Sequence, residues 1–255
     1  MNYRLDESNH PPQIQGMETL LLLLGMGIFA GALTTLSGIG GGMLLLLVLS
    51  LVWSPAEALA CTAPALLLGN LHRLFLFRRS VAWSTIAGFA AAAVPGSVVG
   101  GLLVSAAPPA LTRWLLVSMT LLAIARALGW IQLRPRAWAM VPAGGLIGAL
   151  NGAVGGAGLL VAPLLLTVGL SGEAYVASVS ACAVAMHLGR IIGYGAGGLF
   201  TSHLAQLSLV TAAAILGGNF IGRRLRTLSS RIKGNRLEYA TLVACVGLAL
   251  LGIGH

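Results

Sequence analysis

The sequence predicts an all-α, polytopic integral membrane protein. About eight hydrophobic segments fall into two inverted repeats, each opening with a glycine-broken helical hairpin. Three observations carry this reading. Of 255 residues, 57% are hydrophobic and only 8% charged, against about 25% charged in a soluble domain, and the mean hydropathy is +0.93. Lipid offers backbone groups no partner, so long apolar runs must be helices, and the alternating short strands of a membrane barrel are missing. The sequence also repeats itself. Gly31 pairs with Gly148, Gly38 with Gly155, Gly41 with Gly158, Ser54 with Ser171, Arg73 with Arg190 and Gly100-Gly101 with Gly217-Gly218, all at a spacing of 117 residues. A fixed period marks a duplicated architecture, and in a membrane chain it marks two repeats around a shared site.

The elements follow in order. Residues 1–17 form a polar tail containing Pro11-Pro12, without the basic start of a secretory signal. Repeat 1 covers 18–133. Its first apolar run, 18–52, would make a helix of about 52 Å, too long for a hydrocarbon core of ~30 Å. Gly38, Gly40, Gly41 and Gly42 are poor helix interior, so the run reads as a helix near 18–36, a turn and a short helix near 42–52. Spans at 56–77, 82–105 and 111–131 follow. A basic linker, 134–138, leads to repeat 2 at 139–254, with a broken segment at 139–170 and spans near 174–197, 204–222 and 237–254.

Charge sets the orientation. Arg78/Arg79, Arg134/Arg136 and the cluster from Arg223 to Arg236 should all be cytoplasmic. That holds only if each glycine-broken segment returns to the side it entered. Three ordinary crossings per repeat then invert the second repeat and put both termini outside. The competing arrangement is eight ordinary spans with the charge rule violated once. The net charge of +9 belongs to these loops and not to a nucleic-acid surface. Cys61, Cys182 and Cys245 lie inside apolar segments and suggest no disulfide framework.

The stretch from Gly31 to Gly42 resembles the signature of the TauE/SafE family of sulfite and sulfonate exporters. So does its echo from Gly148 to Gly158, with Pro163 downstream; Leu46 stands at the matching place in repeat 1. The resemblance covers about residues 18–254. It implies a multi-pass transporter of the bacterial inner membrane moving sulfite, a sulfonate or a related small organic anion.

The residues point the same way. A helix broken at membrane depth presents N–H groups carrying about half a positive charge, and two facing breaks make a midplane anion site. The candidate substrate-binding residues are Thr34, Ser37, Gly38, Gly40 and Gly41 in the first break, Asn151, Gly155, Gly156 and Gly158 in the second, and the intramembrane Arg73 and Arg190. Thr35 is a further donor. The structural alternative is that the glycines only allow close helix packing and that Arg73 snorkels toward Arg78. Asn70 and His187, also equivalent, stand one turn before the arginines and are candidates for coupling, or for a helix–helix hydrogen bond. Glu57 and Glu173, near helix starts, are candidates for gating or simply first-turn carboxylates. No cofactor and no metal set is expected; the partners are a small anion and lipid, with no nucleic acid, and a homo-oligomer is compatible with the sequence. The expected function is secondary transport, in the export direction, by alternating access; the alternatives are a passive anion channel or a non-transporting accessory subunit. An enzyme is not expected, because no nucleophile–base pair lies in the spans.

Overall fold

A computed structural model describes residues 12–37, 40–127, 130, 137–156 and 158–228. Among the described residues all long regular elements are helices: α1 (Pro12–Ser37), α2 (Gly41–Val52), α3 (Pro55–Leu76), α4 (Trp83–Ser105), α5 (Pro109–Ala127), α6 (Met140–Val154), α7 (Gly158–Thr167), α8 (Gly172–Ala196) and α9 (Ser202–Leu228). The chain is an all-α, multi-pass integral membrane protein. Five of these helices, α1, α3, α4, α8 and α9, are long and apolar enough to cross a bilayer. The expected span 237–254, residues 134–136 of the basic linker 134–138 and Gly38 lie outside the described residues.

Both breaks fall at the glycines. α1 ends at Ser37, α2 starts at Gly41, and Gly40 holds a φ of 96° that an L side chain rarely adopts. A Cβ on Gly41 would run into the Ala30 carbonyl and the Thr34 hydroxyl, so only glycine lets α2 turn back so tightly on α1. Gly42 faces Leu66, half-way along α3, and α2 ends at Val52 just before α3 begins. The first hairpin therefore returns to the level at which α3 starts. In repeat 2, α6 stops at Val154, and Gly155 and Gly156 follow with φ of 66° and 68°.

Helix directions follow from which residues meet. Gly27 and Gly31 of α1 lie against Ala214 and Ile215 of α9, and Gly218 and Gly222 of α9 against Ile28 and Ala32. α1 and α9 are parallel. α3 runs with them: Cys61 sits by Thr211, and Asn219 Nδ2 donates to the Gly69 carbonyl at 3.2 Å. On the other side Gly144, Gly148 and Gly152 of α6 pack on Phe89, Ala93 and Ser97 of α4, again parallel. Gly189 and Gly193 of α8 meet Val94 and Val98 of α4 in the same sense. α8 crosses α3 in the opposite sense, since Arg190 reaches Leu59 and Thr62 while Ala82 N donates to Ser178 Oγ at 3.0 Å beyond the far end of α3. The molecule is thus two parallel triads, α1/α3/α9 and α6/α8/α4, set antiparallel. Shifting the numbering by 117 residues exchanges them, α1 with α6, α3 with α8 and α4 with α9. Each repeat lends one helix to the other's triad, and equivalent helices run in opposite directions. Many of the glycines that repeat at this period are the small residues that let these helices approach, which is the packing role glycine commonly has in membranes.

Three boundaries differ from those the sequence suggests. Residues 12–17 belong to α1 and not to the polar tail. α7 ends at Thr167, short of 170. α9 continues to Leu228, past 222, so Arg223, Arg224 and Arg226 lie in its last turns. Cations there sit favourably at the negative end of the helix dipole.

Candidate functional site

The two breaks face each other. Were Gly156 given a Cβ, it would strike the Met43 side chain of α2, and one on Gly155 would touch Leu46 of α2 and the Arg190 guanidinium. Beside this meeting point lies a cavity of about 70 Å³. A single water needs about 10–15 Å³ on the same measure, so the space holds several waters or one small polyatomic anion. Its wall combines Gly40 and Gly42 at the start of α2, Asn151 and Gly156 at the second break, Asn70 and Arg73 of α3, Met186 and His187 of α8, and Asn219 of α9.

The wall is rich in donors. The first-turn N–H groups of α2 have no acceptor within their own helix, the first intrahelical bond being Leu44 N to the Gly40 carbonyl at 3.0 Å, and Gly40 offers no side chain to cap them. Arg73 is 6% exposed. Its Nη1 donates to the Thr34 carbonyl at 3.2 Å and its Nη2 to Asn70 Oδ1 at 2.5 Å, while Asn70 Nδ2 donates to the Leu66 carbonyl at 2.7 Å. Arg73 Nε, Asn151 Nδ2 and His187 Nδ1 are buried without a hydrogen-bond partner. Orphaned buried donors are costly and call for an explanation, such as an acceptor that comes and goes.

Arg190, the repeat partner of Arg73, is treated differently. It is fully buried and stands outside the cavity wall. Its Nε donates to Tyr194 Oη at 2.8 Å and its Nη2 to the Leu59 carbonyl at 2.8 Å and to Thr62 Oγ1 at 3.3 Å, while its Nη1 is buried without a partner, away from the cavity wall. Tyr194 Oη donates onward to the Gly152 carbonyl at 2.8 Å, in the last turn of α6. Neither arginine meets a carboxylate. Among the described residues the acidic side chains are Glu18, Glu57 and Glu173, and all three are exposed.

The predicted site residues therefore separate. Thr34, Gly40, Asn70, Arg73, Asn151, Gly156 and His187 come together around the cavity, with the Thr34 hydroxyl turned back on the Ala30 carbonyl at 2.6 Å. Gly41 and Gly155 support the breaks from behind. Ser37 closes α1 and Gly158 opens α7; Gly38 lies outside the described residues. Glu57 and Glu173 are remote. Glu57 completes a capping box, its Oε2 accepting from Ser54 N at 3.0 Å while Glu57 N donates to Ser54 Oγ at 3.3 Å. Glu173 accepts from Ser80 Oγ at 3.3 Å across the α3–α4 turn.

The sequence that builds these helices matches a known family. The family model "Sulfite exporter TauE/SafE" aligns with residues 23–251. This chain belongs to that family. TauE/SafE proteins are membrane transporters and not enzymes, and the chain shares that general class. No curated protein and no solved structure matches it.

Sequence reasoning passed over four contributors. Asn219 lines the cavity and accepts from Thr35 Oγ1 at 2.9 Å; an asparagine inside an apolar run was its signal. Tyr194 and Thr62 hold Arg190, and Tyr194 stands one turn beyond it in sequence. Met43 carried no signal at all.

Proposed function

We propose that the protein is a secondary transporter of the bacterial inner membrane that exports a small oxyanion, with sulfite and small sulfonates as the leading substrates. One observation carries the reading. A buried guanidinium, Arg73, faces the cavity with a free Nε–H and no described carboxylate nearby. A buried charge without a counter-ion is several kcal/mol out of balance, and an anion in the cavity restores the balance. Asn151 Nδ2 and the start of α2 supply the remaining donors, and Asn70 holds the guanidinium in place. The size of the cavity favours a compact anion over an extended one. In the charge-rule orientation the C-terminal ends of α3 and α9, with Arg78, Arg79, Arg223 and Arg224, face the cytoplasm. Alternating access is then a rocking of one triad against the other about the fixed site.

The test is flux in proteoliposomes with radiolabelled sulfite, sulfoacetate and short carboxylates. Saturable, competable flux of one anion that can be driven uphill supports the proposal. Non-saturating flux that only runs downhill indicates a channel, and no flux for any of them refutes the reading for this substrate class.

A further inference from the structure

Inverted repeats begin as equals, so a difference between equivalent residues reports a division of labour. Arg73 and Arg190 are equivalent, and the residues around them are not. Tyr194, which holds Arg190 Nε, corresponds to Phe77, which has no hydroxyl. Thr62, which accepts from Arg190 Nη2, corresponds to Val179, which cannot accept. Both side-chain acceptors that fix Arg190 are thus apolar at their counterparts, Phe77 in repeat 1 and Val179 in repeat 2. Arg73 accordingly keeps an unpartnered Nε at the cavity wall. Arg190 instead ties α8 to the Leu59 carbonyl of α3 and, through Tyr194, to the Gly152 carbonyl of α6.

We infer that the two arginines have diverged in role: Arg73 contacts the anion, whereas Arg190, with Tyr194 and Thr62, is a positioning clamp for the second break. The clamp sits where it is needed. Gly152 is in the last turn of α6, where carbonyls lack intrahelical partners and the dipole is negative. Arg190 Nη1 lies beside Gly155, whose positive φ begins the turn toward α7. Arg190 Nη1 makes no hydrogen bond there, so the link to the end of the half-helix runs through Tyr194 Oη, and with it the clamp holds Asn151 and Gly156 in register with the cavity.

The inference rests on the transporter reading only for the role of Arg73, so the test has two arms. The first is hydrogen–deuterium exchange of the full-length protein in nanodiscs. Tyr194→Phe and Arg190→Gln should speed exchange across residues 152–160 by about tenfold, while Arg73→Gln leaves that segment unchanged. Unchanged exchange in both clamp variants overturns the clamp. The second arm is sulfite flux. Arg73→Gln should raise KM by about tenfold or more, whereas Tyr194→Phe should lower Vmax with KM held within about twofold. A rise in KM for Tyr194→Phe equal to that for Arg73→Gln overturns the division of labour. If the wild type moves no sulfite, the transporter reading fails for this probe, and the exchange arm still decides the clamp. Tyr194→Phe keeps the ring and its packing on Phe200, so it supplies a decision where Arg190→Gln fails to fold.

Discussion

Gly148 and Gly145 are three residues apart on α6, and the structure assigns them opposite tolerances. A Cβ on Gly148 would stand 2.5 Å from the Ala93 carbonyl oxygen and 2.8 Å from its Cα, both backbone atoms of α4 that cannot swing aside. On Gly145 the nearest atom would be 4.0 Å away. Gly148→Ala must therefore push α4 and α6 apart. Overpacking of this kind costs about 1–3 kcal/mol. The same displacement stretches the bond that Ser97 Oγ donates to the Gly148 carbonyl at 2.9 Å, which contributes about 0.5–1.5 kcal/mol more. The total is about 1.5–4.5 kcal/mol, or a fall in melting temperature of roughly 3–18 °C for a chain of this size. Gly145→Ala should be neutral or up to about 1 kcal/mol stabilising. Fluorescence-detected size-exclusion chromatography after heating, in mild detergent, measures both variants side by side. Equal melting temperatures for the two would show that α4 and α6 do not pack along the Gly144/Gly148/Gly152 face, and the parallel-triad arrangement would fall with it.

Three further outcomes follow from the same geometry. Asn151→Ala removes an unpartnered buried donor at the cavity and should raise KM for the transported anion by about 5- to 100-fold with little loss of thermal stability, as read from proteoliposome flux; an unchanged KM would take Asn151 out of the site. Ser80→Cys should react with an impermeant maleimide only from the cytoplasm and Thr201→Cys only from outside; labelling of both from one side would contradict the inverted repeats. Glu57→Gln and Glu173→Gln should leave flux within about twofold, and Glu57→Ala should cost about 0.5–1 kcal/mol of stability through its capping box; a flux lost with folding intact would restore a gating role to these carboxylates.

The fold was legible because the bilayer makes sequence patterns blunt. Span length and glycine breaks read directly into helices and hairpins. The spacing of 117 residues between Gly31 and Gly148 or Arg73 and Arg190 revealed the duplication before any contact was known. The site was legible in part. Arg73, Asn70, Asn151 and His187 announced themselves as polar groups in apolar spans. What could not be read was which of two equivalent arginines faces empty space, because that depends on Tyr194, Thr62 and Phe77, whose relevance is visible only when α3, α6 and α8 are brought together. Asn219 was missed for a related reason. It enters the cavity because α9 packs on α1 and α3, and no local pattern predicts which helix is lent across the repeats. The acidic residues misled in the other direction, since scarcity made Glu57 and Glu173 look important when local helix capping accounts for Glu57.

The exchange of helices between the repeats also sets the order in which the protein can be made. The glycine face of α1, Gly27 and Gly31, closes on Ala214 and Ile215 of α9. At about 5–20 residues per second, a ribosome needs roughly 10–40 s to travel between them. For that time the first hairpin and α3 sit in lipid with their small-residue grooves unfilled and Asn70 and Arg73 lacking the neighbours that will enclose them. Neither half is a finished unit. A chain cut between the repeats would leave each piece holding the other's missing helix, and only the two together would seal the cavity.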